Sequence, residues 1–495
     1  MKLSKLTAIL QSYRVEYHAG DWNREITCIS ADGRSIGAGG LFVCLSGGNV
    51  DGHEYASQAV NNGAAAIVVQ KPLNVHVPQI VVEDTRKAFA LLAAAFYGNA
   101  ADNLKIIAIT GTNGKTTVSY MLESILRAAG KNVGVIGTLG VKYNGATYPS
   151  LLTTPDPVFL HKTLANMFLQ GVEYVVMEVS AHALYYQKIA GICFTACIFT
   201  NLSQDHLDFF KDMQAYGNTK SLLFDGQICP FAVLNGDEPF AREIGKERGK
   251  DKHALKTAYY GLRTPTEAFA VVTEEGLSGI KCLFNINDAL LPVHLHVLGE
   301  YNVYNALAAA TCAVGLGIDE TSVRDGLNAF YGAVGRLQRV ETPINAHIFV
   351  DFAHTPDGLE QSLKTLKKHC KGRLICCFGC GGNRDKGKRP IMGEIAATYA
   401  DFCVLTSDNP RYEDALDILS DIERGYRKVS SRYIIIPERK KALAYAVDIL
   451  QPHDVLLVAG KGGETYQEIM GIKYAFDDYD ILKRICKEKG DVAVE

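Results

Sequence analysis

Short runs of apolar residues alternate with helical stretches along most of this chain. The clearest example begins at Lys105, where the apolar residues 106–109 predict a buried β-strand. Glycines at positions 111 and 114 interrupt the pattern, and the following stretch, from Lys115 to about residue 130, has the apolar spacing of a helix. The pattern therefore predicts a strand, a tight glycine loop and a helix in direct succession.

A chain of 495 residues is too long for one hydrophobic core. Along its length, the alternation of strands and helices falls into three regions. We predict three α/β domains, at residues 1–100, 101–335 and 336–495. In the last region, strands and helices follow each other with the regularity of a doubly wound sheet. Ligands of such sheets bind beyond the carboxyl ends of the strands. Polar residues follow four of its predicted strands, at 351–354, 384–389, 408–411 and 460–464.

Composition narrows the possible partners. Lys and Arg number 51 against 54 Asp and Glu, and the net charge of −3 argues against nucleic acid or an anionic membrane. No apolar run approaches the roughly 20 residues that span a bilayer, and the charged N-terminal stretch is unlike a signal peptide. Thirteen cysteines without the spacing of a disulfide framework fit a reducing compartment. We expect a cytoplasmic monomer that acts on small molecules.

One cluster of cysteines needs a choice between two interpretations. His369, Cys370, Cys376, Cys377 and Cys380 could in principle bind zinc. However, the residues around Cys376 and Cys377 form a predicted buried strand, on which neighbouring side chains point to opposite faces. Free cysteine is also among the most buried residue types. We therefore prefer a buried strand to a zinc site.

The glycine loop predicts a phosphate site. Glycines let backbone N–H groups approach a phosphate, and the helix N-terminus adds partial positive charge. Lys115 can reach the terminal phosphates, while the Thr116 hydroxyl can ligate Mg²⁺. The spacing differs from the general P-loop, because Ile109 occupies the position of its first glycine. The predicted ATP-binding residues of this segment are Gly111, Thr112, Asn113, Gly114, Lys115, Thr116 and Thr117.

Other polar residues have both a functional and a structural interpretation. Glu178 and His206 follow predicted strands and could hold Mg²⁺ near a triphosphate, although His206 could equally be a core or capping histidine. Lys220, which we place at the start of a helix, could be a solvated surface lysine. Asn302 and Asn305 could bind an adenine edge, but helix capping explains them equally well.

A series of segments, in chain order, resembles the Mur ligase family. These segments are GTNGKTT, MEVSAHAL, TNLSQDHLDF, GEYNVYNALAA, GRLQRV, DFAHTPD, FGCGGNRDKGKRPIMGEIA, TSDNPR and AGKGGETYQ. The resemblance implies an N-terminal UDP-binding α/β domain, a central P-loop-like ATPase domain and a C-terminal Rossmann-like domain. It also implies ATP-dependent addition of meso-diaminopimelate to the D-glutamate of UDP-MurNAc-L-Ala-D-Glu, through an acyl phosphate, in peptidoglycan precursor synthesis.

The resemblance also implies roles for individual residues. Catalysis would involve Lys115, Glu178, His206 and Lys220. Lys220 would be carbamylated and would bind Mg²⁺ with Thr116, Glu178 and His206. Further ATP contacts would come from Asn302, Asn305, Arg336, Asp351 and His354. The UDP-MurNAc-dipeptide would contact Gly33, Thr153, Thr154, Ser180, Tyr186 and Lys188. Diaminopimelate would contact Arg384, Asp408, Asn409, Pro410, Arg411, Gly460 and Glu464. Arg411 can bind the distal carboxylate of diaminopimelate, which lysine lacks, in a two-pronged contact.

The chain departs from the family pattern mainly at the UDP-sugar end. Gly33 and Ala181 stand where the family has serine, and Tyr186 and Lys188 replace glutamine and arginine. Three further departures are Phe352 for tyrosine, Asn383 for aspartate and Gly463 for histidine. They leave open a Mur-like paralogue that takes a modified acceptor or another amino acid.

Two other functions are less favoured by the sequence. A ligase of folylpolyglutamate type is disfavoured by the DNPR segment at 408–411 and by the UDP-domain-like N-terminal region. A nucleotide-binding regulator without turnover is disfavoured by the intact Lys115, Glu178, His206 and Lys220.

Overall fold

The computed structural model describes residues 1–10, 15–18, 20–47, 50–207, 209–248 and 255–492. Three main β-sheets organise these residues, and each sheet packs a hydrophobic core against both of its faces. The two cores arise because successive residues of a strand face opposite sides. This architecture confirms the predicted α/β fold, while the domain boundaries at 100 and 335 stay predictions.

The first sheet has the strand order β1-β5-β4-β3-β2, and only β1 among these strands runs antiparallel to its neighbour. Its strands are β1 Val15–His18, β2 Cys28–Ser30, β3 Gly40–Val43, β4 Ala64–Val69 and β5 Gln79–Val82. Its helices are α1 Leu3–Thr7, α2 Ala56–Asn61 and α3 Thr85–Phe96, with 3₁₀ turns at Ala8–Leu10, Gly52–Tyr55 and Ala100–Asn103.

The second sheet contains eleven strands, and its parallel centre has the order β13-β12-β11-β6-β10-β7. The strands are β6 Lys105–Thr110, β7 Val133–Gly137, β8 Gly140–Tyr143, β9 Ala146–Tyr148, β10 Tyr174–Glu178, β11 Ala196–Phe199, β12 Phe231–Asn235, β13 Lys256–Gly261, β14 Ala268–Gly276, β15 Gly279–Ile286 and β16 Ala289–Leu295. The helices are α4 Lys115–Ala128, α5 Pro157–Leu169, α6 Ala181–Tyr185, α7 Met213–Ser221, α8 Pro239–Arg248, α9 Glu300–Gly315 and α10 Glu320–Asn328, with a 3₁₀ turn at Leu222–Phe224.

Two features of this region differ from the sequence-based expectation. Antiparallel hairpins flank the parallel centre, where simple alternation of strand and helix was predicted. The turns at 144–145 and 287–288 have positive φ at both central residues, which suits the twist of a two-residue hairpin. The predicted position of Lys220 at the start of a helix is wrong, because Lys220 lies in the last turn of α7.

The third sheet has the order β17-β18-β22-β19-β20-β21, in which β17 is antiparallel and the other five strands are parallel. Its strands are β17 Gln338–Val340, β18 His347–Asp351, β19 Leu374–Phe378, β20 Phe402–Leu405, β21 Tyr433–Ile435 and β22 Val455–Ala459, followed by the hairpin β23 Tyr466–Ile469 and β24 Ile472–Ala475. Its helices are α11 Pro356–His369, α12 Lys388–Tyr399, α13 Ala415–Tyr426, α14 Arg439–Asp448 and α15 Asp478–Val492.

The preferred interpretation of the cysteine cluster is confirmed. Cys376 and Cys377 are fully buried in β19 and belong to the cores on opposite faces of the third sheet. Within the described part of the chain, no group of three or more His, Cys, Asp or Glu side chains is arranged to hold a metal ion. Across the same residues, no helix combines the length and apolarity needed to cross a membrane.

Candidate active site

A cavity of about 920 Å³ lies between the second and third sheets. One wall consists of the loop that follows β6 and the residues after β10 and β11. The other wall consists of the segment that follows β18 and one face of α11 along most of its length. Strand ends of two parallel sheets thus face one space, as expected for ligand sites in such sheets.

The two glycines of the phosphate loop are required by their neighbours. Gly111 and Gly114 have φ of 144° and 87°. A Cβ on Gly111 would lie 2.0 Å from the Thr200 hydroxyl oxygen, and one on Gly114 would lie 2.4 Å from Asn305 Oδ1. No side chain fits at either position, so the loop backbone packs directly against β11 and α9.

Asn201, which the sequence analysis did not single out, fixes the first half of the loop. The Thr112 N–H donates to the Asn201 carbonyl (2.9 Å), and the Asn113 N–H donates to its side-chain Oδ1 (2.9 Å). Within α4, Val118 N–H donates to the Gly114 carbonyl. The N–H groups before it, from Lys115 onwards, belong to the first helical turn, which has no intrahelical acceptors for them. These groups can therefore bind phosphate oxygens.

Two lysines converge on one carbonyl of this loop. Lys115 Nζ donates to the carbonyls of Gly111 (3.0 Å) and Thr112 (2.8 Å), and Lys220 Nζ donates to the same Gly111 carbonyl (2.9 Å). Burial lowers the pKa of Lys220 well below its usual value, and the Lys115 charge lowers this pKa further. Burial also lowers the pKa of Lys115, although the Glu178 carboxylate opposes this shift. The neutral amine of Lys220 is thereby favoured.

Glu178 ends β10 as a fully buried carboxylate. It accepts hydrogen bonds from the Thr116 hydroxyl and from both the N–H and the hydroxyl of Thr138, each at 3.0 Å. All these hydrogen-bond donors are neutral groups. Thr138 is a second residue of the site that the motifs did not reveal.

These residues fit the expected Mg²⁺ in part. Glu178 and Thr116 offer hard oxygen atoms on the cavity wall, which is the chemistry that Mg²⁺ prefers. His206 also lines the cavity, with its Nε2 3.4 Å from Asp205 Oδ2 and its ring 4.9 Å from that of His182. The Lys220 amine would become an oxygen ligand only after carbamylation.

Asn302 and Asn305 start α9 and line the cavity, but they bond to each other rather than cap the helix. Asn305 Nδ2 donates to Asn302 Oδ1 (3.0 Å), and Asn302 Nδ2 donates to the Leu298 carbonyl (2.7 Å). The residue at the N-cap is Gly299. Asn305 thus supports the phosphate loop through its contact at Gly114.

On the opposite wall, Asp351 organises the segment after β18. Its buried carboxylate accepts from the N–H groups of Leu337 (2.6 Å) and Ala353 (2.9 Å). Burial raises the pKa of Asp351, and the nearby Arg336 charge opposes that rise. The Arg336 guanidinium stacks on the Phe352 ring at 4.7 Å.

Two contacts follow from this arrangement. The exposed His354 places Nδ1 2.8 Å from the Phe352 carbonyl. Asn113 Nδ2 donates to Asp357 Oδ2 of α11 (3.0 Å), which joins the phosphate loop to the third-sheet region. The predicted nucleotide residues from the two regions therefore face one another across the cavity.

The predicted amino-acid residues lie after β19, β20 and β22, outside the residues that line this cavity. Asn409 Nδ2 donates to Glu464 Oε2 (2.8 Å), and a Cβ on Gly460 would lie 2.4 Å from Asp408 Oδ2. The two loops, 408–411 and 460–464, therefore interlock. We call them together the amino-acid pocket.

Partners that the motifs did not reveal hold the charges of this pocket. Arg411 pairs with Glu468 through Nε (3.2 Å) and donates from Nη1 to the Gly382 carbonyl (2.9 Å). The fully buried Lys461 donates to both Asn409 Oδ1 and Glu464 Oε2 at 3.0 Å.

Two other residues predicted to bind the amino acid, Arg384 and Pro410, do not take part in the ion pairs of the pocket. Arg384 is exposed, and its Nη1 lies 3.5 Å from the Asn383 carbonyl. The carbonyl of Pro410 packs at Gly382, where an added Cβ would lie 1.9 Å from it. Among the hydrogen bonds and ion pairs of the described residues, none joins Arg384 to loop 408–411 or loop 460–464.

The residues predicted for the acceptor separate into two groups. Thr154 Oγ1 donates to the Glu178 carbonyl (2.9 Å) and accepts from the Ser180 N–H (3.0 Å), while Thr153 Oγ1 lies 3.1 Å from Thr138 Oγ1. This first group adjoins the Glu178 carboxylate.

The second group lies outside the cavity lining. Tyr186 stacks beneath the Arg86 guanidinium at 4.3 Å, and Lys188 pairs with Asp156 at 2.7 Å. Gly33 lies in the first region, where its carbonyl accepts from Asn62 Nδ2 (2.8 Å). These contacts give each residue a partner within the protein.

Comparison with known proteins places this arrangement in context. Three family models match the chain: "Mur ligase family, catalytic domain" at residues 25–97, "Mur ligase middle domain" at 109–313, and "Mur ligase, glutamate ligase domain" at 335–462.

Similar proteins include the UDP-N-acetylmuramoyl-L-alanyl-D-glutamate–2,6-diaminopimelate ligases of Geobacillus thermodenitrificans and Bacillus licheniformis. Each is 40% identical to this chain over 99% of its length and 100% of the relative. A solved structure of a ligase with the same name has a TM-score of 0.72 and 31% identity, and the alignment covers 99% of both chains. A MurF ligase from Thermotoga maritima, solved with ADP, shares the fold at 19% identity and a TM-score of 0.59, over 95% of this chain and 97% of the other.

Proposed function

Because this chain belongs to the Mur ligase family, we propose that it catalyses the ATP-dependent addition of meso-diaminopimelate to the D-glutamate of UDP-MurNAc-L-Ala-D-Glu. The reaction forms an amide bond in cytoplasmic peptidoglycan precursor synthesis. The protein acts as a monomer with Mg²⁺, and its domains divide near residues 100 and 335.

The observation that carries this proposal is the shared cavity between the second and third sheets. It contains the phosphate loop, the buried Glu178 with Thr116, and the Asp351 segment of the third sheet. A ligase that activates a carboxylate with ATP needs these parts in one space, because phosphoryl transfer depends on positioning and charge neutralisation. Full-length similarity to diaminopimelate ligases supports the choice of substrates.

In the first step, an oxygen of the D-glutamate γ-carboxylate attacks the γ-phosphorus of ATP, and ADP leaves. Lys115 and the N–H groups at the start of α4 neutralise the negative charge on the phosphates. Mg²⁺ would be held by Thr116 and Glu178, with His206 and carbamylated Lys220, and would supply further positive charge. Asn302, Asn305, Arg336, Asp351 and His354 would position the nucleotide.

In the second step, the amine of the incoming amino acid attacks the acyl phosphate, and the resulting tetrahedral intermediate expels phosphate. Loops 408–411 and 460–464 would hold that amino acid. The Arg411 guanidinium would bind the distal carboxylate of diaminopimelate, which supports selection against lysine.

A purified-protein assay tests the proposal directly. Phosphate release is measured with ATP, UDP-MurNAc-L-Ala-D-Glu and either meso-diaminopimelate or lysine. We expect release that requires all three substrates and favours diaminopimelate. ATP turnover that ignores this acceptor would contradict the proposal.

The second candidate, a paralogue with a modified acceptor, is favoured by the positions of Tyr186 and Lys188. Both are engaged by protein partners, Arg86 and Asp156. Activity with an altered muramoyl acceptor, but not with the usual one, would identify this alternative.

A further inference from the structure

A buried ion pair lies behind the amino-acid pocket, and the reaction chemistry gives it no role. Arg439 begins α14 and Asp478 begins α15, and neither side chain is exposed to solvent. Arg439 Nε donates to Asp478 Oδ1 (2.8 Å) and Nη2 donates to Asp478 Oδ2 (2.7 Å). The contact is therefore the two-pronged pair that guanidinium and carboxylate groups form best.

The same guanidinium reaches two backbone carbonyls at the carboxyl edge of the third sheet. Nη1 donates to the Ser407 carbonyl (3.2 Å), and Nη2 donates to the Ala459 carbonyl (3.1 Å). Ser407 directly precedes loop 408–411, and Ala459 directly precedes loop 460–464. One side chain thus joins the first peptide units of both halves of the amino-acid pocket.

This geometry requires arginine. A lysine ammonium is a point charge on a flexible stem and cannot hold a carboxylate and two carbonyls in one plane. A buried ion pair also adds little stability compared with apolar packing of the same volume. What Arg439 specifically supplies is the relative position of the two loops.

We infer that Arg439 is a positioning residue for the incoming amino acid, and that Asp478 links the C-terminal helix to this task. The inference rests on the proposed function, in which loops 408–411 and 460–464 bind diaminopimelate. If either loop shifts, the contact between Asn409 and Glu464 is lost and Arg411 moves away from the distal carboxylate. A displacement of about 1 Å in a binding constellation can reduce activity by about a hundred-fold.

The test compares steady-state constants for three substrates in three full-length variants. Arg439→Lys keeps the charge but loses the planar fork, and Asp478→Asn keeps the shape but loses the countercharge. Arg373→Lys is the matched control. Arg373 pairs with Asp454 (2.6 Å) and donates to the Ile449 carbonyl (2.6 Å), but at the opposite end of the same sheet, before β19 and β22.

We expect Arg439→Lys and Asp478→Asn to raise the KM for meso-diaminopimelate about ten- to a hundred-fold. The KM for ATP and for the acceptor should stay unchanged, because those sites lie elsewhere. Arg373→Lys should leave all three constants unchanged, even if its melting temperature falls. Circular dichroism and melting temperature are recorded for every variant, and Asp478→Asn decides the matter if Arg439→Lys does not fold.

Three results would overturn the inference: an unchanged amino-acid KM in folded variants, a joint rise of all three KM values, or an equal rise in Arg373→Lys. Failure of the unmodified protein to use diaminopimelate would instead refute the proposed function. The same comparison then runs with the amino acid that the protein accepts.

Discussion

At the phosphate loop, the side-chain amines of Lys115 and Lys220 donate their hydrogen bonds to backbone carbonyls of the loop itself. In the amino-acid pocket, Arg411 and Lys461 each bind a carboxylate of the protein, from Glu468 and Glu464 respectively. In the first arrangement, neither amine is hydrogen-bonded to a carboxylate within the described part of the chain. In the second arrangement, each of the two cations is already paired with a carboxylate before a ligand arrives.

The difference teaches how each site gains its ligand. Burial lowers the pKa of Lys115, so the negative charge of a triphosphate would raise this pKa again and stabilise the protonated form. A charged ligand in the amino-acid pocket must instead replace one partner of an existing ion pair. Such exchange favours a ligand with matching charges, since an unpaired buried charge is strongly unfavourable. In the proposed reaction, the loop would neutralise phosphate charge, and the pocket would discriminate between amino acids.

The largest expected effect comes from removing charge at the loop. Lys115→Ala should lower kcat by about 10²- to 10³-fold, the usual loss when one electrostatic stabiliser of a transition state is removed. Its melting temperature should change little, because the lysine bonds only to the loop. Ligation is measured by phosphate release, with Lys131→Ala, just beyond the same helix, as the control. Normal turnover in Lys115→Ala would contradict the ATP-ligase mechanism.

Lys220→Ala tests whether the second loop lysine becomes a carboxylate. Loss of a metal-binding group should lower kcat by about 10²-fold, and a small carboxylic acid should restore part of the activity. The exposed Lys211→Ala is the control. If Lys220→Ala turns over normally, the carbamylation proposal is wrong.

The lowered pKa of Lys220 also fixes the direction of a pH effect. Carbamate forms from the neutral amine, and acidification through the folded-state pKa of Lys220 protonates that amine. Between the unfolded-state and folded-state pKa values of Lys220, the folded state binds fewer protons than the unfolded state. The free energy of unfolding therefore also decreases as the pH falls through this range. Activity of the unmodified protein should fall in acidic, bicarbonate-free buffer and return when bicarbonate is added. Lys220→Ala should show no response to bicarbonate.

Arg411→Ala tests the proposed binding of diaminopimelate in the amino-acid pocket. Arg411 and Glu468 are each mostly buried, with about one-fifth of the side chain exposed. Truncating one partner of such a charge pair costs about 2–5 kcal/mol when the pair is fully buried, and each ~1.4 kcal/mol corresponds to a tenfold change. The kcat/KM for diaminopimelate should therefore fall by about two orders of magnitude, while use of ATP and acceptor changes little. Arg424→Ala removes an exposed ion pair with Asp421 and serves as the control. Equal use of lysine and diaminopimelate by the unmodified protein would defeat the specificity claim.

The smallest expected effect is a gain at the acceptor end. The space beside Gly33 accepts a Cβ, since its nearest neighbours would be 3.6 Å away and its φ is not in the left-handed region. Gly33→Ser should lower the acceptor KM by about five-fold, the value of one hydrogen bond of about 1 kcal/mol. Gly37→Ser, also in open space, is the control. An unchanged KM would indicate that the acceptor does not reach residue 33.

The phosphate loop was predictable from sequence because its parts are neighbours in the chain. Strand β6, the two glycines and α4 follow each other within 24 residues, and local pattern alone places them. The supporting residues were not predictable in this way. Asn201 and Thr138 reach the loop and Glu178 from other strands, so only the sheet order brings them together.

The amino-acid pocket shows the same limit more strongly. Arg411 is visible as part of a motif, but its partner Glu468 lies 57 residues later, in a hairpin that the apolar pattern did not predict. Lys220 was assigned to the wrong end of its helix, because the polar residues of α7 carry little amphipathic signal. Whether the predicted contacts with nucleotide, acceptor and amino acid form stays a prediction.

Because Gly111 and Gly114 pack so closely against their neighbours, the phosphate motif would not keep its conformation in another protein. Its backbone path is set by Thr200 on one side and Asn305 on the other, which lie far away in the chain. Transplanting the seven residues GTNGKTT into another strand–loop–helix unit would therefore transfer the sequence but not the backbone conformation of the loop. A working graft would have to include the neighbouring strand and the opposing helix, so the transferable unit is a layer of the sheet.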